Sequence, residues 1–238
     1  FIGLYVRLKL TEAPIFIAAL NQLKPKTLPV MEVIVTHFKP FFLGILICIA
    51  GYVLFYIMIA FSQIYAKSAP TVSEAGYAMG LGFSPQIFTA LLMCSAISLA
   101  ITIAISGKYI DIVGRRIWLI WTTFGVAIFG LALPYFLDNG TTTSLFWFLM
   151  IGMGLIGMGY GPLASFLPEL FPTHARYSGA SLTYNISGLF GASVAAIIAL
   201  PLNANYGLKG VGIYLTLNAV LSLIGLWFIT ETKDKHLA

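Results

Sequence analysis

The chain has 238 residues, 59% of them hydrophobic and 9% charged, with a mean hydropathy of +0.94. Soluble domains carry about 25% charged residues, so the composition excludes a water-soluble domain and marks an integral membrane protein. The net charge of +5 is read by position rather than as a nucleic-acid signal, and Cys48 and Cys94 lie in apolar runs that offer neither a disulfide framework nor a metal site.

Residues 1–40 open with "FIGLYVRLKL", which reads as the end of an apolar helix running into a basic linker, so the chain is read as beginning within a longer polypeptide. The linker carries Pro14, Pro25, Pro29 and Pro40, and the amphipathic piece from Phe16 to Leu23 predicts a short helix at the membrane surface. A hydrocarbon core about 30 Å thick needs about 20 apolar residues of helix. Six stretches qualify, 41–66, 86–106, 117–137, 144–166, 180–200 and 211–230, and none contains Asp, Glu, Lys, Arg or His. They are too long and too uniformly apolar for the alternating strands of a barrel. Residues 231–238 form a polar tail.

Eleven of the thirteen Lys and Arg residues fall on one side of these spans; only Lys67 and Lys209 fall on the other. Because positive charge stays cytoplasmic, both ends of the chain and the loop 107–116 are expected in the cytoplasm, with the spans in a bacterial-type inner membrane. Tyr65, Trp118, Trp121, Tyr135, Trp147 and Trp227 sit at span ends, where interfacial anchors are expected.

The loop between the second and third spans, "GKYIDIVGRRIW", concentrates charge in an otherwise uncharged region. Gly107 would let a helix end approach its neighbour, and Gly114 would supply a turn that side chains disfavour. Asp111 stands one helical turn before Arg115 and could also neutralise the start of the next helix, with Arg115 and Arg116 anchored at the headgroups. Between the fourth and fifth spans, Pro168 and Pro172 break the helix. Glu169 and Arg176 flank that turn within expected reach of each other, with His174 read as a solvated loop residue. "GMGLIG", Gly152 to Gly157, matches a dinucleotide fingerprint only in letters, since the preceding strand and the later acidic residue are missing. Glycines there are expected to let helices pack closely. Tyr52, Tyr56 and Gln63 fall on one face of the first span at i, i+4 and i+11. With Tyr184 and Asn185 of "SLTYNIS", they are the candidate substrate contacts, interhelical hydrogen bonding being the alternative.

G-x-x-x-D-x-x-G-R-R, from Gly107 to Arg116, resembles the cytoplasmic loop signature of the major facilitator superfamily. The stretch Tyr160 to Ala192, with P-E-L-F-P-T-x-x-R-Y-S-G at its centre, resembles the metabolite:proton symporter branch, whose members carry proline and betaine, shikimate, α-ketoglutarate and other carboxylates. Gly3 to Phe16 is similar to that branch's segment after the sixth helix. The resemblance implies an all-α fold: six transmembrane helices, built as two inverted three-helix repeats, forming the C-terminal half of a twelve-helix transporter. It also implies a gating role for the loop signature Gly107, Asp111, Gly114, Arg115 and Arg116, while Glu169 and Arg176 are read as a structural or gating pair, substrate contact being the alternative. The partners implied are a small-molecule substrate, the lipid bilayer, a proton as coupling ion, and an N-terminal six-helix half of the same polypeptide. With no ionisable group in any span, the proton carrier is expected in that other half. No cofactor, enzymatic site or nucleic-acid partner is expected. The alternative function is a six-helix channel or pore subunit acting as an oligomer.

Overall fold

A computed structural model describes residues 29–232, so the expected end of a preceding helix and the surface helix around Phe16 to Leu23 lie outside the described residues. The described part of the linker forms helix α1 (Pro29–Thr36), followed directly by the first span. That span is α2 (Phe38–Tyr56), a π-helical turn (Ile57–Phe61) and α3 (Ser62–Lys67). The second, third and fourth spans are α4 (Pro85–Val113), α5 (Arg115–Leu137) and α6 (Thr142–Glu169). Last come α7 (Arg176–Gly188), a second π-helical turn (Leu189–Ser193) and α8 (Val194–Phe228).

Local chemistry sets several of these boundaries. Ser84 and Thr141 accept hydrogen bonds from the Ile87 and Ser144 amides, capping α4 and α6, and Pro85 occupies the first turn, where its missing N–H costs nothing. Gly114, at φ 104°, separates α4 from α5. Beyond the helices, the described residues hold a single β-bridge, between Val72 and Ala78.

Five continuous helical stretches are long and apolar enough to cross a membrane, and the last runs for 53 residues, Arg176–Phe228. At 1.5 Å per residue that length would be about 80 Å, far more than one crossing. The chain turns back at Gly207, whose φ of 66° and ψ of −169° are not helical. Contacts with the first span fix the reversal. Thr183 faces Gly44, Gly191 faces Tyr52 and the Tyr56 hydroxyl reaches the Ala196 carbonyl, so this arm runs parallel to α2. Past Gly207 the direction inverts: Gly225 packs against Leu43 and Leu46, and Ser222 Oγ donates to the Leu46 carbonyl at 2.6 Å. The six expected spans are therefore present.

Their pairing displays the internal symmetry. The second and fourth spans run parallel, with Gly154 beside Ser98 and Gly161 beside Ser106, just as the first and fifth do. The third and sixth are antiparallel, with Thr216 donating to the Ala127 carbonyl at 3.0 Å and Arg116 reaching Leu226. Exchanging spans one to three for four to six maps the first–fifth pair onto the fourth–second pair and the third–sixth pair onto itself. This is the pairing of two inverted three-helix repeats.

Between apolar helices in lipid, association rests on close packing and interhelical hydrogen bonds. The seams follow that rule. A Cβ on Gly157 would lie 2.6 Å from the Leu99 carbonyl oxygen, and one on Gly130 would lie 2.8 Å from that of Gly212. The "GMGLIG" stretch is thus a packing surface inside α6. The core is centred on the first span, where Val53, Ile57, Met58 and Phe61 are wholly buried. By contrast, α4 turns much of its length outward, including Cys94; of the two cysteines only Cys48 is buried. Trp121, Tyr135, Trp147 and Trp227 are exposed, as anchors require, whereas Tyr65 is buried and Trp118 Nε1 donates to the Met158 carbonyl at 2.9 Å. Those two side chains serve the packing of the bundle.

Candidate functional site

The charged loop lies at the end of the bundle where α4, α5, α6 and the segment after α8 meet. Starting a helix leaves its first amides without partners, and the helix dipole favours a negative charge there. The carboxylate that answers is Glu231, which accepts from the Arg115 and Arg116 amides at 3.1 and 3.0 Å. It fits because Gly114 has no side chain: a Cβ there would stand 2.8 Å from the Glu231 carboxylate. Arg116 completes the exchange, donating from Nε to the Leu226 carbonyl at 2.8 Å and from Nη2 to that of Trp227 at 3.0 Å. The third span's start and the sixth span's end therefore cap each other.

Arg115 faces the other way. Its Nη2 lies 3.0 Å from Glu169 Oε1 and 3.6 Å from Asp111 Oδ1. Glu169 and Arg115 side chains are only 15% and 16% exposed, against 70% for Asp111, so the Glu169 pair is the stronger one. Thr232 Oγ1 donates to the second Glu169 oxygen at 2.7 Å, tying the tail to the end of α6.

Several expectations are corrected here. Arg115 and Arg116 turn into the bundle's end rather than to headgroups, because buried carboxylate and carbonyl acceptors lie within reach. Glu231, not Asp111, caps the α5 start. Glu169 pairs with Arg115 instead of Arg176. Gly107 meets open space, with nothing within 4 Å of where a Cβ would stand, so it mediates no close approach among the described residues. Glu231 escapes sequence reasoning because its partners lie more than a hundred positions away; its one legible signal is that the tail falls on the same side as the loop.

Beside this end, between the fourth and fifth spans, lies a cavity of about 730 Å³. Its wall includes Tyr160, Thr173, Arg176, Ser181, Tyr184 and Asn185. Among the described residues, Arg176 is the one cation of the lining, and its Nε is buried with no hydrogen-bond partner there. Tyr160 and Tyr184 also border a second cavity of about 290 Å³, which reaches inward past Tyr52, Thr122 and Thr123. The Tyr52 and Tyr184 rings are 5.1 Å apart, and the Tyr184 hydroxyl donates to that of Tyr160 at 3.4 Å. Three spans thus bring three tyrosines together where the cavities meet.

Of the predicted contacts, Tyr52, Tyr184 and Asn185 reach the cavities. Asn185 also braces its own helix, donating to the Ser181 carbonyl at 2.8 Å. Tyr56 instead points its hydroxyl at the Ala196 carbonyl at 3.4 Å. Gln63 is exposed and lines neither cavity. The physical reason is the π-helical turn at Ile57–Phe61, whose wider hydrogen-bond step rotates everything after it away from the face that i, i+4, i+11 counting assumes. Tyr160 was not singled out by sequence reasoning; its only signal is its place in the block from Tyr160 to Ala192. Hydroxyls, an amide and one guanidinium suit the reversible holding of a small polar molecule.

Comparison with known proteins agrees with this architecture. The family model described as sugar (and other) transporter matches residues 78–238. A Haemophilus influenzae protein named "Putative metabolite transport protein" is 89% identical over 100% of this chain and 53% of its own length. The Escherichia coli inner membrane metabolite transport protein YhjE is 38% identical over 99% of the chain and 52% of its own length. The Dickeya dadantii glycine betaine/proline/ectoine/pipecolic acid transporter OusA is 27% identical over 99% of the chain and 47% of its own length. The chain spans about half the length of the curated relatives it matches. No solved structure gives a significant match. With its six spans in two inverted repeats and its charged inter-span loop, the chain belongs to the sugar (and other) transporter family of the major facilitator superfamily.

Proposed function

We propose that this chain is the C-terminal half of a secondary active transporter that moves a small polar organic metabolite by alternating access. The observation that carries the reading is the cavity between the fourth and fifth spans, with Tyr160, Tyr184, Asn185 and Arg176 on its wall. Arg176 would attract a carboxylate, and the tyrosine hydroxyls and Asn185 would orient the remainder of the molecule. A carboxylate or a zwitterion of the betaine or proline kind fits those groups, and relatives named for proline and betaine transport support the class. Tyr56 and Gln63, which sequence counting groups with these residues, stay in the proposal only as supports of the first span.

Glu169, Arg115, Glu231 and Arg116, with Asp111 and Gly114 beside them, form the gate on the cytoplasmic side. Gly107 faces outward, free to meet the N-terminal half, and Arg176 stands between gate and cavity. Proton symport would drive the accumulation. Because the six apolar stretches hold no Asp, Glu, Lys, Arg or His, the proton carrier belongs to the N-terminal half. The excess of Lys and Arg on the gate's side supports a cytoplasmic orientation for that side and both ends of the chain, in a bacterial-type inner membrane.

The test is uptake by the full-length protein in proteoliposomes, with an inward proton gradient and a labelled panel of carboxylates, betaines and proline. Accumulation of one compound, driven by the gradient and reduced by Tyr184→Phe and Asn185→Ala, is the expected result. Saturable uptake indifferent to the gradient would remove the proton. Ion conductance without saturable uptake would overturn the transporter in favour of a channel.

A further inference from the structure

The chain has three histidines, His37, His174 and His236. Two of them meet at the gate end of the bundle. His37 occupies the junction between α1 and α2, and His174 lies in the turn between α6 and α7. Their ring centroids are 6.4 Å apart at an interplanar angle of 57°. Glu32, on α1, brings its Oε1 to 2.7 Å from His174 Nε2, although 142 positions separate them. One ligand atom from each of Glu32, His37 and His174 lies within 4.8 Å of the other two. The solvated loop histidine expected from sequence is therefore part of a converging cluster.

A simple ion pair between Glu32 and a protonated His174 explains only half of this arrangement. That pair gives no part to His37, which makes no ion pair with Glu32 among the described residues. Neutral imidazoles and a carboxylate converging on one point have a different common partner, a metal ion. Zinc sits about 2.0–2.2 Å from histidine nitrogens and carboxylate oxygens, which puts tetrahedral ligands roughly 3.3 Å apart. The Glu32–His174 contact, 2.7 Å as a hydrogen bond, would open by about half an ångström to reach that spacing, and a side-chain rotation of His37 at the helix junction would bring in the third ligand. Glu32 and His174 side chains keep 25% and 33% exposure, leaving water a way to the remaining position. Two nitrogens and one oxygen suit ions of the zinc, cobalt or nickel type rather than magnesium or calcium, which take all-oxygen sets.

We propose that Glu32, His37 and His174 form a binding site for a divalent transition-metal ion of the zinc type. Occupied, the site clips α1, the segment leading into the first span, to the turn that joins Glu169 to Arg176. The clip joins two elements that meet at the bundle's end, so metal would restrain movement between them.

The test uses full-length protein without a polyhistidine tag, titrated with Co²⁺ and followed by the visible d–d absorption of a low-coordinate ion. The expected result is saturable binding of one Co²⁺, displaced by Zn²⁺. His37→Ala and His174→Asn should each weaken it at least about tenfold, the cost of disturbing even the outer shell of a metal site. His174→Asn retains a donor toward Glu32 and so separates a lost ligand from a lost fold, and His236→Ala should change nothing. Absence of saturable Co²⁺ binding in the wild-type protein overturns the proposal. So does unchanged affinity in the His37→Ala/His174→Asn double variant.

Discussion

Along the seam between the second and fourth spans, Gly157 lies against Thr102 and the Leu99 carbonyl, and Gly161 lies against Ser106. At the gate end, Arg115 on Glu169 holds the third span to the fourth, and Glu231 on the start of α5 holds the segment after the sixth span to the third. The first kind of contact is a fit of backbone to backbone, with no substitute if it opens. The second kind joins groups that water or another charged partner can also satisfy. Under the proposed alternating access, a molecule built this way would keep its helices as a unit while one end exchanged partners, as rigid-body rocking requires.

The largest expected effect breaks a seam. Gly157→Val places carbon against the Thr102 hydroxyl and a backbone carbonyl, neither of which can give way without parting two helices. Loss of monodisperse protein in size-exclusion chromatography is the expected outcome, while Gly107→Ala, whose added carbon meets nothing, should leave yield unchanged. Next comes Glu231→Ala, which leaves two helix-start amides without their charged acceptor and should cost about 2 kcal/mol in thermal unfolding in detergent. Glu231→Gln, still able to accept one bond, should fall between. Glu169→Gln should cost somewhat less, about 1–2 kcal/mol, because the amide oxygen can still accept from Arg115. The exposed partner, by contrast, should hardly matter: Asp111→Asn is expected to change stability by less than about 1 kcal/mol.

The smallest effect belongs to the opposite end. Partial burial raises the Asp138 carboxyl above its ordinary value, and Lys209 offsets only part of that rise. A raised carboxyl favours the protonated form in the folded state. Its contribution is therefore present below the ordinary carboxylate value and lost as pH rises through the folded one. Asp138→Asn should consequently raise the melting temperature slightly at neutral pH and leave it unchanged in acid. A loss of stability at neutral pH would mean that the Lys209 attraction outweighs burial.

The contrast between seams and gate also explains what the sequence makes legible. Span number and order follow from apolar runs of membrane length, and the side expected for each loop follows from where Lys and Arg gather, because both signals are local. The turn at Gly207 agrees with the break expected between 200 and 211, since no single helix of that length fits a bilayer. Glycine roles are not local. Gly107 and Gly157 look alike in sequence, yet one faces open space and the other a carbonyl, and only the neighbouring helix decides which. The same holds for Glu231 and Glu169, whose partners come from distant spans. Gln63 misses the cavity for another reason: a π-helical turn leaves no mark in hydrophobic periodicity, so counting by helical face carries through it as if it were absent.

The measurement that bears most directly on the exchangeable gate is side-specific access to the cavity. In full-length protein with Cys48 and Cys94 replaced by Ser, Asn185→Cys would be labelled by a membrane-impermeant thiol reagent applied from either side. The account predicts labelling from both sides in turn, a shift of the balance when substrate is added, and increased labelling from the gate side when Glu169→Gln loosens that end. Labelling from one side only, unaffected by substrate and by Glu169→Gln, would contradict it.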